Sequence, residues 1–307
     1  MQHKELLEWY SVYGRHDLPW RNTAEIYHIY LSEVMLQQTQ VKRVEEEYYP
    51  QFLEKFPTLY DLAQANEESV LAAWSGLGYY SRARNLHATA KLTHEAFPTS
   101  YDELVKLPGI GAYTASAICA FGYRESRVVL DTNIKRVMKR YLGLIDATDK
   151  KLYQESEALL YHKEPREYNL ALMDLGSLVC VPKNPQCSSC PLAASCVGKA
   201  DPQRYTTTKK SASIAMDLFY GIYVKDGAIA LQESAGSMYK GMLELPSIDP
   251  LEDAFLGSFK HAYTKYRLTV KLYVIDALPK GAVLYPLEKL QHAPISSLVK
   301  KALKYLL

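Results

Sequence analysis

The sequence predicts a mainly α fold over residues 1–200, followed by a small α+β domain over 214–307. Three observations carry that reading. Apolar residues recur at helical spacing through the first 200 residues, punctuated by glycine turns. Four of the five cysteines fall within seventeen residues at the end of that stretch, from Cys180 to Cys196. A polar segment rich in threonine and lysine then spans 201–213 and reads as a linker. Beyond it, apolar and aromatic runs flank an Asp226-Gly227 turn.

Residues 4–14 read as a short helix with Leu6, Leu7, Trp9 and Tyr10 on its buried side. The segment from Asp17 to Arg21 is extended, because Pro19 restricts Leu18. Taken alone, Trp20 reads as core and Arg21 as a surface cation. Residues 24–40 form a helix whose Ile26, Ile29, Tyr30, Val34 and Leu36 give a mostly buried surface. Glu33 sits in this apolar company. A lone helical Glu is ordinarily solvated or salt-bridged. Burial would instead raise its pKa and keep a proton available near neutral pH, as a general acid requires. Helices continue over 44–73, broken at Pro57. Gly76 and Gly78 then make a tight turn before a helix carrying Arg82 and Arg84. These arginines read either as phosphate contacts or as surface charge. Tyr79, beside the turn, reads either as a wedge into a base stack or as packing.

Leu107-Pro108-Gly109-Ile110-Gly111 has the turn chemistry of a helix-hairpin-helix. Pro108 ends one helix, and Gly109 and Gly111 allow backbone shapes closed to other residues. The free N–H groups that open the next helix suit a phosphate. Asp131 precedes an amphipathic helix with Ile134, Val137, Met138, Tyr141 and Leu142 on one face and Lys135, Arg136, Lys139 and Arg140 on the other. By itself the aspartate is an N-cap and the basic face is solvated. Further helices over 151–179 lead into the cysteine loop, where Cys180, Cys187, Cys190 and Cys196 are spaced C-x6-C-x2-C-x5-C. Zinc sites favour two distant C-x2-C pairs, so a [4Fe–4S] cube held by four thiolates fits better. Cys119, among small apolar residues, is expected to be buried.

After the linker, Leu218 to Val224 and Ala228 to Leu231 read as strand, turn and strand. Tyr266 to Ile275 reads as a further strand, and Pro294 to Leu306 as a closing helix. Residues 206–307 hold 13 Lys and Arg against 9 Asp and Glu, while the first 205 hold 23 against 25. With a net charge of +2, any DNA footprint must be local, as at Arg82 and Arg84 or from Lys135 to Arg140. No apolar run reaches the ~18 residues of a membrane span. The first residues lack the apolar run of a secretory leader, so a cytoplasmic protein without membrane association is expected.

Across residues 1–200 the motifs Leu18-Pro19-Trp20-Arg21, Ser32 to Val41, Gly76 to Tyr80, the hairpin, Asp131 and the cysteine loop occur in one order. That order resembles the MutY family, the adenine glycosylases of the helix-hairpin-helix/GPD superfamily. The resemblance implies a helix-hairpin-helix glycosylase domain over 1–200 ending in a [4Fe–4S] loop at 180–196. It also implies a MutT-like (Nudix-like) lesion-recognition domain over 214–307. The implied reaction is removal of adenine mispaired with 8-oxoguanine or guanine in double-stranded DNA, by a monomer at the bacterial nucleoid. Glu33 would protonate the departing base and Asp131 would stabilise the sugar cation. Tyr113 would assist at the sugar, and Asn133 would orient the acid or water. Gln38 would fill the gap left by the flipped base and Tyr79 would wedge beside the lesion. Arg82, Arg84, Gly109 and Gly111 would meet the backbone, with Lys183 adding to a basic cysteine loop. Trp20 and Arg21 would line the base pocket.

The sister family, endonuclease III, carries a catalytic lysine at the position of Tyr113 and lacks the acid at Glu33. A monofunctional glycosylase is therefore implied. The C-terminal part lacks the acidic metal-binding signature of active Nudix hydrolases, so no pyrophosphatase activity is expected. Met242 to Pro246 is similar to that domain's W-E-F-P segment. Tyr263-Thr264-Lys265 aligns with the Phe-Ser-His loop that reads 8-oxoguanine, and otherwise reads as an ordinary hairpin. Three departures, Thr132, Leu170 and Lys265, stand where the family usually has Gly, Gln or Glu, and His. They touch substrate choice more than chemistry. The alternatives are a thymine or uracil mismatch glycosylase of the same superfamily, and a non-catalytic iron–sulfur DNA-binding protein.

Overall fold

The computed structural model describes residues 1–205, 212–234, 236, 238–251 and 253–306. Six positions of the expected linker, 206–211, lie outside the described residues. Packing divides the chain into two compact units, and neither is one continuous segment. The first is Met1–Val41 with Glu95–Thr208, and the second is Lys42–His94 with Lys209–Leu307.

The first unit is helical. Its main helices are His3–Tyr13, Ile26–Leu36, Thr132–Leu142, Asp149–Glu157 and Pro165–Leu178, with the shorter Ala112–Ala117 running on in a wider turn to Gly122. One core of Leu6, Ile29, Phe121, Val129, Ile134, Val137, Met138, Tyr168, Leu172 and Leu175 joins them. Helix Thr132–Leu142 starts where the Asp131 side chain accepts the Ile134 N–H, and it ends at Gly143 with φ +74°. A Cβ on Gly143 would stand 2.6 Å from the Val197 side chain, so glycine serves both the left-handed cap and the close approach.

The expected basic face of this helix is only partly solvated. Arg140 is 1% exposed. Its guanidinium donates to the carbonyls of Cys180, Val181, Pro182 and Pro202. Arg136 donates to Gly176 O and Cys180 O at 2.6 and 2.8 Å. An irregular loop leaves carbonyls without ladder partners, and the five-donor fork of arginine satisfies several at once. These two arginines hold the cysteine loop through its carbonyls. Lys135 pairs instead with Asp149 at 2.6 Å.

Among the described residues, the second unit joins helices Tyr49–Lys55, Leu59–Gln64, Glu67–Ala73 and Ser81–Thr93 to seven strands and helix Ser297–Ala302. The strands are β1 (Ile214–Ile222), β2 (Val224–Lys225), β3 (Ala228–Glu233), β4 (Leu243–Glu244), β5 (Phe255–Tyr263), β6 (Tyr266–Val274) and β7 (Val283–Pro286). They form two sheets. One has the order β1-β6-β5; in the other, β3 pairs with β2, β4 and β7. The expected strand, Asp226-Gly227 turn and strand are present, but the first strand divides its pairing. Residues 214–222 pair in parallel with β6 along their whole length, and only Tyr223 to Lys225 face β3 across the turn. Both turn residues have positive φ, +51° and +71°, the geometry a two-residue hairpin requires. The closing helix is shorter than the expected 294–306. It is capped by Ser296 and passes into a tighter turn after Ala302. The segment around Ser296 binds the strand-bearing part to the helices of 42–94 through its neighbours. Near it, Ser75 Oγ donates to Ile295 O at 2.5 Å and Lys300 Nζ to Ser75 O at 2.9 Å.

Candidate active site

A cleft of about 620 Å³ opens within the first unit, lined by Trp20, Arg21, Glu33, Tyr113, Asp131, Asn133 and Leu170 among others. Glu33 sits on a helix buried on almost every side. It is 7% exposed. Its Oε2 accepts a 2.7 Å hydrogen bond from Tyr113 Oη, the first helical turn after the glycine hairpin. Burial raises the Glu33 carboxyl to about 7, a rise that the Tyr113 bond and the Arg21 charge oppose and the Asp131 charge assists. Tyr113 is pushed well above the usual phenol range by burial and by the Glu33 and Asp131 charges, so its hydroxyl keeps its proton.

Asp131 is held by its role as N-cap. Oδ1 accepts the Ile134 N–H at 2.6 Å and Oδ2 the Asn133 side-chain amide at 3.0 Å. Burial raises its carboxyl above the usual range, against the pull of those donors and of Arg136. Asn133 is fixed in turn by Arg136, which donates to its Oδ1 at 2.9 Å. Gly176 lets helix Pro165–Leu178 approach this point, since a Cβ there would lie 2.7 Å from the Asn133 Cβ.

Arg21 is not a surface cation. Its guanidinium meets Asp174 in two bonds of 2.6 and 2.8 Å, and Arg15 joins the same carboxylate. Asp174 is fully buried. Burial alone would raise its carboxyl, but Arg21 and Arg15 outweigh it and hold the group below the usual range. This clamp, with Arg136, is what sequence reasoning missed. The available signal was a single carboxylate, Asp174, inside an otherwise apolar helical run.

Other expected positions divide between the units. Gln38 lines the same cleft, in a left-handed conformation with φ +58° directly after its helix. Thr132 and Leu170 also line it. In the hairpin, Gly109 has φ +74°, as expected. Gly111 has φ −87°, a shape open to any residue, and a Cβ there would meet nothing within 4 Å. It leaves open surface at the start of a helix that no side chain caps.

In the second unit, Tyr79 has φ +49° between Gly78 and Tyr80. Arg82 is 8% exposed rather than solvated. It lies over the rings of Trp74 and Tyr79 and donates to Gly78 O at 3.3 Å, so it shapes the turn. Arg84 donates to Lys240 O. Tyr263, Thr264 and Lys265 form the tip between β5 and β6, with Thr264 at φ +50° and Thr264 and Lys265 exposed.

Cys180, Cys187, Cys190 and Cys196 are half-buried and line one small cavity with Arg140. Arg140 Nη1 lies 3.2 Å from Cys180 Sγ. Burial, then the charges of the other three, push the Cys190 thiol up to about 11. Among the described residues no group of three or more His, Cys, Asp or Glu is placed to hold a single metal ion. Cys119 is buried, as expected.

Residues 31–161 match the model of the HhH-GPD superfamily of base excision DNA repair proteins. An adenine DNA glycosylase of Buchnera aphidicola subsp. Baizongia pistaciae is 43% identical over 203 residues, covering 63% of this chain and 57% of the relative. An adenine DNA glycosylase of Mycolicibacterium smegmatis is 41% identical over 197 residues, covering 62% of this chain and 67% of the relative. This chain therefore spans less than two thirds of the Buchnera protein's length. Among solved structures, a thermostable thymine-DNA glycosylase superposes with a TM-score of 0.60 at 26% identity, over 64% of this chain and 94% of that one.

Proposed function

Because the chain belongs to the adenine DNA glycosylase family of the HhH-GPD superfamily, we propose that it removes adenine mispaired with 8-oxoguanine or guanine in duplex DNA. The observation that carries this is the 2.7 Å bond between Tyr113 and a buried Glu33, in one cleft with Asp131. A carboxyl at about 7 holds a proton near neutral pH and can lose it to a leaving base.

The flipped adenine enters the cleft beside Trp20 and Arg21, at a cost of about a few kcal/mol of unstacking. As the N-glycosidic bond breaks, its electron pair leaves with the base. Glu33 delivers its proton to a ring nitrogen of that base. Asp131, oriented by the helix N-terminus, faces the cationic sugar until water adds. Asn133 keeps the Asp131 carboxylate in place, and Tyr113 keeps Glu33 directed at the base. With a tyrosine at 113, no amine stands where the sister family's nucleophile stands, so the enzyme is monofunctional.

Gln38 and Tyr79 fill and wedge the opened stack. Gly109, Gly111 and Arg84 contribute to holding the backbone, and Tyr263, Thr264 and Lys265 read the opposite base. The glycosylase domain is 1–200, the linker 201–213 and the lesion-reading domain 214–307. The active species is a monomer in the bacterial cytoplasm, at the nucleoid. No helix of the described residues is long and apolar enough to cross a membrane.

Cys180, Cys187, Cys190 and Cys196 would hold a [4Fe–4S] cluster. Four thiols line a single cavity, the all-cysteine donor set that such a cluster takes. The cluster, when bound, braces the loop; the chemistry stays with Glu33 and Asp131.

The test is incubation with duplexes holding A opposite 8-oxoguanine, A·G, T·G and U·G, scored before and after alkali. Cleavage only after alkali, and only in the adenine duplexes, is expected. The likeness to a thymine-DNA glycosylase makes release of thymine or uracil the competing outcome.

A further inference from the structure

We propose that Tyr239 is a positioning residue for lesion reading, fixing the hairpin tip Tyr263–Lys265 against the glycine turn Gly76–Tyr80. The inference rests on the reading that this tip recognises the base opposite adenine. All of these residues belong to the second unit.

Tyr239 is only 4% exposed. Its backbone is left-handed, with φ +57°. A bulky side chain in that region is strained and persists only where its surroundings hold it. Three contacts do so. Its ring centroid lies 4.7 Å from that of Tyr263, at the start of the tip. Its hydroxyl is 2.7 Å from His261 Nε2. His261 and Tyr263 are two residues apart on β5 and therefore share a face of the strand. On the other side, its ring is 6.1 Å from that of Tyr80, which closes the glycine turn carrying Tyr79. The next residue is tied down as well, since Arg84 donates to Lys240 O from the helix that follows the turn.

One side chain thus joins the element that reads the opposite base to the element that wedges the stack. The tip backbone is held by the pairing of Tyr263 with Tyr266, by the Ile214 N–H donated to Lys265 O at 2.8 Å and by Arg267 to Thr264 O at 3.4 Å. The Thr264 and Lys265 side chains are exposed, so what Tyr239 adds is the placing of the Tyr263 ring. If Tyr239 sets where Tyr263 stands, its loss should blur discrimination between 8-oxoguanine and guanine. A filler of the core would instead affect both substrates alike.

The experiment measures single-turnover adenine release from A·8-oxoguanine and from A·G duplexes by wild type, Tyr239→Phe, Tyr239→Leu and Tyr263→Ala. Hydrogen exchange over residues 259–267 and Tm are measured in parallel. Tyr239→Leu is expected to cut the ratio of the two rates about tenfold and to speed exchange at the tip. Tyr239→Phe, which keeps the ring, should retain most of the preference. Tyr263→Ala should lower the ratio at least as much as Tyr239→Leu. An unchanged ratio in Tyr239→Leu, with a lowered one in Tyr263→Ala, would overturn the role of Tyr239 and leave the tip as reader. A ratio unmoved by Tyr263→Ala would overturn the reading of the tip, and this proposal with it. Should Tyr239→Leu fail to fold, Tyr239→Met, which fills more of the space without a ring, decides: a lowered ratio with faster tip exchange supports the proposal, and a ratio and exchange both equal to wild type overturn it.

Discussion

Two buried glutamates, one in each unit, have the same perturbed acidity and different surroundings. Glu33 and Glu244 are 7% and 4% exposed, and burial raises each carboxyl to about 7. Around Glu33 stand a tyrosine hydroxyl at 2.7 Å, a second carboxylate at Asp131 and a cleft of about 620 Å³. Around Glu244 stand Tyr220, 3.5 Å away, and Ser296, while its Oε1 meets no partner among the described residues. A raised pKa is therefore a mark of burial first. What makes Glu33 a candidate acid is space for a substrate and a second carboxylate lining that space.

Removing the second carboxylate should have the largest effect. Asp131→Asn keeps the cap geometry and removes the charge, so adenine release should fall by at least about 10³-fold. Duplex affinity, measured by anisotropy, should change little. Next, Glu33→Gln should slow release by roughly 10²- to 10³-fold. Glu244→Gln should alter it by less than about twofold, which single-turnover assays resolve; equal losses in the two variants would break the contrast.

The same pair should behave alike in stability. Each carboxyl has its folded-state value raised from 4.5 to about 7. Between those values the folded protein holds a proton that the unfolded chain has lost. Stability present below 4.5 is then lost as pH rises towards 7, by up to about 1.4 kcal/mol per pH unit for each group. A glutamine does not titrate. Both Gln variants should therefore gain on wild type between pH 5 and 7 in urea unfolding.

Within the cleft, the smallest effect concerns Tyr113→Phe. The Tyr113 bond lowers the Glu33 pKa, so its loss should move the alkaline limb of the rate profile to higher pH. The rate itself should change by about tenfold or less.

Much of the first unit was legible because helical periodicity reports burial directly. The helix 132–142 begins and ends where Asp131 and Gly143 demand, and its apolar Ile134, Val137, Met138 and Tyr141 are buried. Glu33, Tyr113 and Asp131 were legible as a set only through a family resemblance. Spacing along the chain does not show that residues about eighty apart share a hydrogen bond. Arginine was the least legible residue. Arg82, Arg136 and Arg140 read as surface charge, yet each satisfies a carbonyl of a turn or loop. Local pattern cannot reveal such partners, because irregular backbone has no periodicity. The parallel pairing of β1 with β6 was hidden for a related reason. A strong Asp-Gly turn signal favours the neighbouring hairpin, and the long-range partner lies some fifty residues away.

The central claim is that a protonated Glu33, lining one cleft with Asp131, releases the base. Single-turnover adenine release from an A·8-oxoguanine duplex, followed from pH 5.5 to 9, tests it most directly. A rate that falls about tenfold per pH unit above roughly 7 in wild type, with that limb absent in Glu33→Gln, is the predicted result. A profile level to pH 9, or one unchanged by Glu33→Gln, would contradict it.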